Sequence, residues 1–360
     1  MSDPCCCTSI RSAATFPAAL AVHAASGHAG RRLGLLLHAH DIAAQPEGEH
    51  LVVRGEDLGR LAAAVRGLNT TERRDLLAAP WTDSGPQDWQ VAPLAHWLRR
   101  LETPWFAEAA GELFFHLQPV VRLGGEARGE VYGYEALVRA RTGGGVRGAG
   151  ELLGAAEAHG ELRAFDALAR RGAIRQAYPQ LAPGQVLLIN FAPGVVYNPD
   201  ICLRTTFEAC REVGADFGRL LFEVTEGEAF PDLTLLRAIL ERYRAEGARV
   251  ALDDLGAGHT SLSYLAELRP DIVKLDRDLV RDLHDLDPRV PLVGSLIRYA
   301  HDLGVEVIAE GVETARELAL VRDLGADYAQ GYFLGRPAPG PRPILGEAAA
   351  LLGAPLAPAP

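Results

Sequence analysis

The stretch ALDDLGAGHTSL, Ala251 to Leu262, sets two carboxylates side by side, Asp253 and Asp254, at the end of an apolar run and just before a glycine loop. Neighbours on a strand point to opposite faces, and two like charges repel, so the pair needs a chemical reason. The same arrangement recurs along the chain. Glu135 ends YGYE, Asn190 ends VLLIN, Glu223 ends RLLFE with Glu226 close behind, and Lys274 and Asp276 lie in DIVKLD. Glu310 ends VEVIAE with Glu313 just beyond, and Gln330 sits in DYAQG. Several carboxylates, an amide and a lysine in one cleft would be costly without cations. An oxygen-rich set of this kind suits hard divalent ions such as Mg²⁺ or Mn²⁺. With no Cys or His at the strand ends, a dedicated zinc or copper site is disfavoured. Two ions about 3.5–4 Å apart can activate water and stabilise both oxygens of an in-line displacement at phosphorus.

Two other readings compete. Any one Asp or Asn at a strand end could simply cap the next helix. Glu, Lys and Gln cap poorly, which weakens that account for the whole ring. Lys274 could instead form a Schiff base, as in a barrel aldolase. That would require a lowered pKa, whereas a rim of carboxylates keeps the ammonium charged.

The elements that must position these residues are legible from about residue 112. LFFHLQPVVRL and EVYGYEALVRA read as strands joined by a short turn, a hairpin. After a helical stretch, short apolar strands alternate with amphipathic helices from VLLINFAP to the closing ADYAQGYFLGRP. Such alternation implies parallel strands with right-handed crossovers. The fold expected is α/β: a modified TIM (β/α)8 barrel with one antiparallel strand, with the polar strand ends gathered on one rim.

Upstream, residues 31–105 read as a small mixed α/β region. RRLGLLLHAH and EHLVVRG are expected as strands, EDLGRLAAAVRGL and NTTERRDLLAA as helices, the latter capped by Asn69 with Glu72 three residues on. Residues 1–30 are expected to be a weakly ordered leader. Residues 106–345 are the barrel domain and 346–360 an Ala/Pro-rich tail.

Composition narrows the function classes. The 360 residues are 48% hydrophobic and 23% charged, ordinary for a folded domain, with a net charge of −11. That balance argues against a partner that is polymeric nucleic acid. No apolar run is long enough for a membrane span. Five cysteines, three adjacent at Cys5, Cys6 and Cys7, make no disulfide framework, and a cytoplasmic location is expected. The CCC run lacks zinc-ligand spacing and reads as an exposed tail.

The ordered set QPVV at Gln118, EALVR at 135–139, the Asn190 strand, FEVTE at 222–226, DDLGAGHTSLSYL at 253–265, KLD at 274–276, AEGVE at 309–313 and QGYFLGRP at 330–337 resembles the EAL domain of bacterial cyclic di-GMP phosphodiesterases. The resemblance covers about two thirds of the chain. It implies hydrolysis of cyclic di-GMP to linear pGpG, with two Mg²⁺ or Mn²⁺ ions held by Glu135, Asn190, Glu223, Asp253 and Asp254, Asp253 bridging them. It also implies that Lys274 orients water or stabilises developing charge, and that Glu310 is either a further ligand or the proton acceptor. Gln330 completes the site, and Gln118, Leu137 and Arg139 contact substrate, Arg139 at phosphate and Gln118 at a base. Glu226 would brace the loop after Asp254. A homodimer through the EAL domain is expected on the same ground. Two departures stand out: Ala257 and His259 replace residues common in that loop, and Ala192 follows Asn190 by two where Ser is common. A module that binds cyclic di-GMP or a protein partner without cutting is the alternative, but every expected ligand is present.

Overall fold

The computed structural model describes residues 10, 16–224, 233–256 and 262–354. The chain divides into two units, one of residues 112–149 and 163–360, the other of 10–111 with 150–162.

The smaller unit is built from β1 (Ala19–Ala24), α1 (Gly27–Ala39), β2 (Ala44–Glu47), β3 (His50–Arg54), α2 (Asp57–Val65), α3 (Thr70–Arg74), β4 (Leu76–Thr82), β5 (Gly85–Pro86), β6 (Ala92–Pro93), α4 (Leu94–Glu102) and α5 (Phe106–Gly111). Its antiparallel sheet has the order β2-β3-β1-β4-β5, with β6 on β4. Leu20, Leu33, Leu61, Leu76 and Leu94 are fully enclosed in its core. Truncating one of them to Ala would cost about 2–5 kcal/mol.

Residues 19–30 are not a loose leader: β1 is the inner strand of this sheet, paired on both sides by β3 and β4. RRLGLLLHAH is helical, because Ala29, Leu33 and Leu37 recur every four residues on the buried face and the Ser26 hydroxyl caps the start by accepting from Ala29 N–H. A short apolar run does not by itself separate strand from helix. The Asn69–Glu72 capping box is present, but its helix stops at Arg74 and LLAAPWT continues as β4. Residues 150–162 also join this unit, where Phe106 stacks on His159 at 5.2 Å. Cys5, Cys6 and Cys7 lie outside the described residues.

The larger unit is a closed barrel. It comprises β7 (Leu113–Arg122), β8 (Val131–Thr142), β9 (Gly145–Arg147), α6 (Ala149–Ala158, mostly assigned to the smaller unit), α7 (Leu162–Ala177), β10 (Val186–Phe191), α8 (Pro199–Cys202), α9 (Arg204–Glu212), β11 (Leu220–Val224) and α10 (Leu233–Ala245). It continues through β12 (Arg249–Leu255), α11 (Leu262–Leu268), β13 (Ile272–Leu275), α12 (Arg277–Val280), α13 (Val290–Asp302), β14 (Glu306–Ala309), α14 (Ala315–Asp323), β15 (Tyr328–Gln330) and α15 (Gly346–Leu352). Strands β8 and β10 to β15 run parallel in sequence order, and β7 closes the barrel antiparallel to both β15 and β8. This is the eight-stranded modified TIM barrel with one antiparallel strand. The expected tail is partly structured: α15 buries Ala348, Ala349 and Leu352. DIVKLDRDLV is a strand only to Leu275, after which Asp276 caps α12 by accepting from Asp278 N–H. Among the described residues no helix is long and apolar enough to cross a membrane.

Candidate active site

Period-two alternation builds the site. Val120, Tyr132, Leu188, Leu221, Ala251, Ile272, Ile308 and Tyr328 belong to one buried cluster, one from each barrel strand, and plug the interior. Two residues further along each parallel strand the same inward face carries Asn190, Glu223, Asp253, Lys274, Glu310 and Gln330. In the antiparallel β7 the step runs backwards, from Val120 to Gln118, which pairs directly with Glu135. A bulge at Tyr132 keeps both Tyr132 and Glu135 facing inward, because pairing passes from Val120–Gly133 to Val121–Val131. A greasy layer thus carries a polar layer on top of it.

Hydrogen bonds and charge then order the polar layer. Asn190 Nδ2 donates to Glu135 Oε1 at 2.6 Å and Gln330 Nε2 to Oε2 at 2.7 Å. Lys274, 1% exposed, has its Nζ 2.6 Å from Glu310, 3.1 Å from Glu223 and 3.2 Å from Asp253. Asp253, Asp254 and Glu310 bring carboxylate oxygens within 4.8 Å of one another. Asp254 achieves this with a φ of +57°, beside a register shift between Leu252 and Leu255.

The charge balance favours a cation. Burial disfavours the ionised form of Glu135, but Lys274 and the two amide donors outweigh it and hold the carboxyl below its usual range. Burial drives Glu223 well above that range, with Lys274 opposing. Burial also pushes Glu310 up to about 8, again against Lys274. Burial would lower Lys274, yet Asp253, Glu135, Glu223 and Glu310 raise it well above the ordinary lysine value. An ammonium held charged is a poor Schiff-base nucleophile, so the aldolase reading fails on its own requirement. Glu223 is fully buried, and neither of its oxygens makes a hydrogen bond. Its ionic contact is the Lys274 ammonium, 3.1 Å from Oε1 and shared with Asp253 and Glu310, so its hydrogen-bonding capacity is left unmet, which costs about 1–3 kcal/mol. Its oxygens fit a hard divalent cation, which prefers oxygen donors and would offset the crowded negative charge.

A cavity of about 240 Å³ opens over this layer, lined by Gln118, Glu135, Asp253, Lys274, Arg277, Glu310, Gly311, Glu313, Gln330, Gly331 and Tyr332. Its floor rests on a close approach: a Cβ on Gly331 would lie 2.1 Å from Val312 O. A larger hollow of about 610 Å³, lined by Arg122, Tyr132 and Gln185 among others, lacks a converging set of carboxylates.

The expected residues are therefore brought together with few exceptions. Gln118 lines the cavity and donates to Gly335 O at 3.3 Å. Leu137 and Arg139 follow Glu135 on the same face of β8 but do not line the cavity, and Arg139 donates to Val138 O. Glu226, Ala257 and His259 lie outside the described residues. Arg277 and Tyr332 also line the cavity, although the sequence assigns neither a role: Arg277 directly follows KLD, and Tyr332 lies inside QGYFLGRP. Asp276 is a helix cap, the blander reading of a strand-end Asp.

The site is thus an acid ring gathered around one lysine at the strand ends of a modified TIM barrel. The EAL domain model matches residues 105–337, and the chain belongs to this family. Cyclic di-GMP phosphodiesterase NbdA of Pseudomonas aeruginosa is 32% identical over 63% of this chain and 29% of its own length. Cyclic di-GMP phosphodiesterase PdeR of Escherichia coli is 31% identical over 63% and 34%. The chain thus spans about a third of the length of these curated relatives. Among solved structures, a standalone EAL protein of Vibrio cholerae with c-di-GMP bound superposes with a TM-score of 0.58 at 30% identity, over 66% of this chain and 98% of that one. The PaMucR phosphodiesterase in its c-di-GMP complex gives 0.56 at 29% identity, over 63% and 97%.

Proposed function

We propose that the chain is a metal-dependent phosphodiesterase that opens cyclic di-GMP to linear pGpG. The observation that carries this reading is the Glu223 carboxylate, fully buried inside a ring of further acids that share a single ammonium, Lys274, and with no hydrogen bond of its own. Glu135, Asn190, Glu223, Asp253 and Asp254 would hold two Mg²⁺ or Mn²⁺ ions. When bound, such ions supply a water that is readily deprotonated and neutralise charge on phosphoryl oxygens.

The chain's own groups do the rest. Lys274, bound to three carboxylates, orients the attacking water or stabilises charge on phosphorus. Glu310 accepts the water proton or joins the metal ligands. The new bond is water oxygen to phosphorus, the broken one phosphorus to the 3′-oxygen, and that oxygen leaves with a proton. Asn190 and Gln330 keep Glu135 ionised and oriented. Gln118 contacts the substrate in the cavity, Leu137 and Arg139, further along the same face of β8, would contact the part of it that extends beyond the cavity, and Glu226 braces the loop after Asp254. The same reading includes a homodimer through this domain, a regulatory or dimerising role for the N-terminal unit, and a cytoplasmic location. The NbdA and PdeR names and the ligand-bound EAL structures support the substrate.

The test is incubation of the full chain with cyclic di-GMP and Mg²⁺ or Mn²⁺, with and without chelator, following pGpG. Metal-dependent pGpG formation is expected. Binding without turnover in either metal would overturn hydrolysis and leave a cyclic di-GMP sensor.

A further inference from the structure

Behind the site, in the layer between strands and helices, lies a buried ionic network that the mechanism does not use. Asp166 and Arg170, one turn apart on α7, are 6% and 2% exposed. Asp166 Oδ2 accepts from Arg170 Nε at 2.9 Å and pairs with Nη2 at 2.8 Å. Its other oxygen, Oδ1, accepts the backbone N–H of Ala192 at 3.0 Å. Arg170 Nη1 donates to Thr206 Oγ1 at 2.6 Å and to the Tyr243 hydroxyl at 3.3 Å, while the guanidinium lies 5.1 Å from the Phe191 ring centre. The Tyr243 ring stacks on Phe222, centroids 3.9 Å apart and 18° from parallel.

The grip is on the neighbours of two candidate ligands. Phe191 and Ala192 directly follow Asn190, and Phe222 directly precedes Glu223. Alternation turns Phe191 and Phe222 outward as Asn190 and Glu223 turn inward. One network therefore clamps the backs of β10 and β11 where their fronts carry the polar layer. Net stability is a weak account of it, since a buried ion pair commonly adds little over an apolar replacement. Its cost is better explained by the geometry that it fixes.

We infer that Asp166 and Arg170 are positioning residues for Asn190 and Glu223, with the Asp166 carboxylate anchoring the Ala192 amide and Arg170 locking that carboxylate while tying β10 to Tyr243 and the β11 side. The inference rests on the reading that Asn190 and Glu223 hold the metal. Such supporting groups set ligand orientation, and their loss commonly costs about 10–100-fold in metal affinity or activity.

The test uses the full chain and two double variants. Asp166→Ala with Arg170→Met removes the pair as a unit and leaves no unpaired buried charge, so folding is retained. Asp166→Asn with Arg170→Met does the same but keeps an acceptor for the Ala192 amide. Three quantities are measured: the Mn²⁺ dissociation constant by electron paramagnetic resonance, kcat against KM, and the NMR signals of the Asn190 side-chain amide in metal-free protein. The alanine variant is expected to bind Mn²⁺ about tenfold more weakly, lose kcat more than KM, and shift the Asn190 signals. The asparagine variant is expected to recover most of each. A lowered melting temperature with Mn²⁺ affinity, kcat and Asn190 signals at parental values would overturn positioning, as would equal impairment of both variants. A parent that binds no Mn²⁺ refutes the metal reading separately, and the Asn190 signals still decide this inference.

Discussion

Asp253 and Asp254 are adjacent in the chain, yet both carboxylates reach the same cluster with Glu310. Asp253 does so by ordinary alternation, two residues beyond the inward Ala251. Asp254 does so because its backbone turns left-handed, φ +57°, where β12 slips register against β13. A non-glycine residue in that conformation carries strain of order 1 kcal/mol, and strain of this kind is retained where geometry matters.

Replacing Asp254 by glycine separates the backbone role from the chemical one. Asp254→Gly relieves the left-handed strain and is expected to melt no lower than the parent. Its turnover of cyclic di-GMP is expected to fall about a hundredfold or more, as for a lost metal-side charge. Asp254→Ala is expected to lose the same activity and also about 1 kcal/mol of stability relative to the glycine variant. Melting curves alongside pGpG assays read both, and a glycine variant with near-parental turnover would remove Asp254 from the ligand set.

Metal should stabilise the folded chain through Glu223. With Mn²⁺ at about a hundred times its dissociation constant, binding to the folded state alone adds about 2.7 kcal/mol. The parent is therefore expected to melt several degrees higher in Mn²⁺ than in chelator. Glu223→Gln removes one of three crowded carboxylates while Asp253 and Glu310 still pair with Lys274, so it is expected to melt at or above the parent in chelator and to lose most of the Mn²⁺ increment. Differential scanning calorimetry of the two proteins in both buffers gives the four values.

Lys274→Met tests the same balance from the cationic side. Removing the ammonium leaves Glu223, Asp253 and Glu310 without their shared partner, and breaking a buried pair costs about 3–5 kcal/mol. In chelator the variant is expected to be strongly destabilised, with Mn²⁺ restoring more stability than it adds to the parent. No turnover is expected in either case. An unchanged urea midpoint in chelator would show that the lysine does not hold the acids together.

The N-terminal unit should carry its own acid sensitivity. The Glu72 carboxyl lies below its ordinary value, first because the Asn69 amide donates to it, with His28 and Arg32 adding to the effect. For a carboxyl lowered on folding, the unfolded chain binds the extra proton. Its stabilisation is therefore complete above the unfolded value near 4.5 and is lost as pH falls through the folded one. The urea midpoint of the parent should exceed that of Glu72→Gln at neutral pH, and the difference should shrink as pH drops below that value. A difference independent of pH would mean that the carboxylate charge is not what the cap uses.

Alternation of short apolar runs with helices determined the barrel, because period-two and 3.6-residue patterns are written directly in residue order. The polar residue that ends each run determined the rim, and with it Glu135, Asn190, Glu223, Asp253, Asp254, Lys274, Glu310 and Gln330 as one set. Other features depended on contacts between residues far apart in the chain. The LGLLL run became a helix because its buried face and the Ser26 cap favoured it, where local hydrophobicity allowed either state. Arg277 and Tyr332 entered the cavity only because loops after different strands meet above the barrel, around the close approach of Gly331 to Val312. The opposite environments of Glu135 and Glu223, one satisfied by two amides and one buried against a shared ammonium with no hydrogen bond, arose from three-dimensional placement alone. Desolvation and hydrogen bonding act on neighbours in space, and residue order along a strand does not encode them.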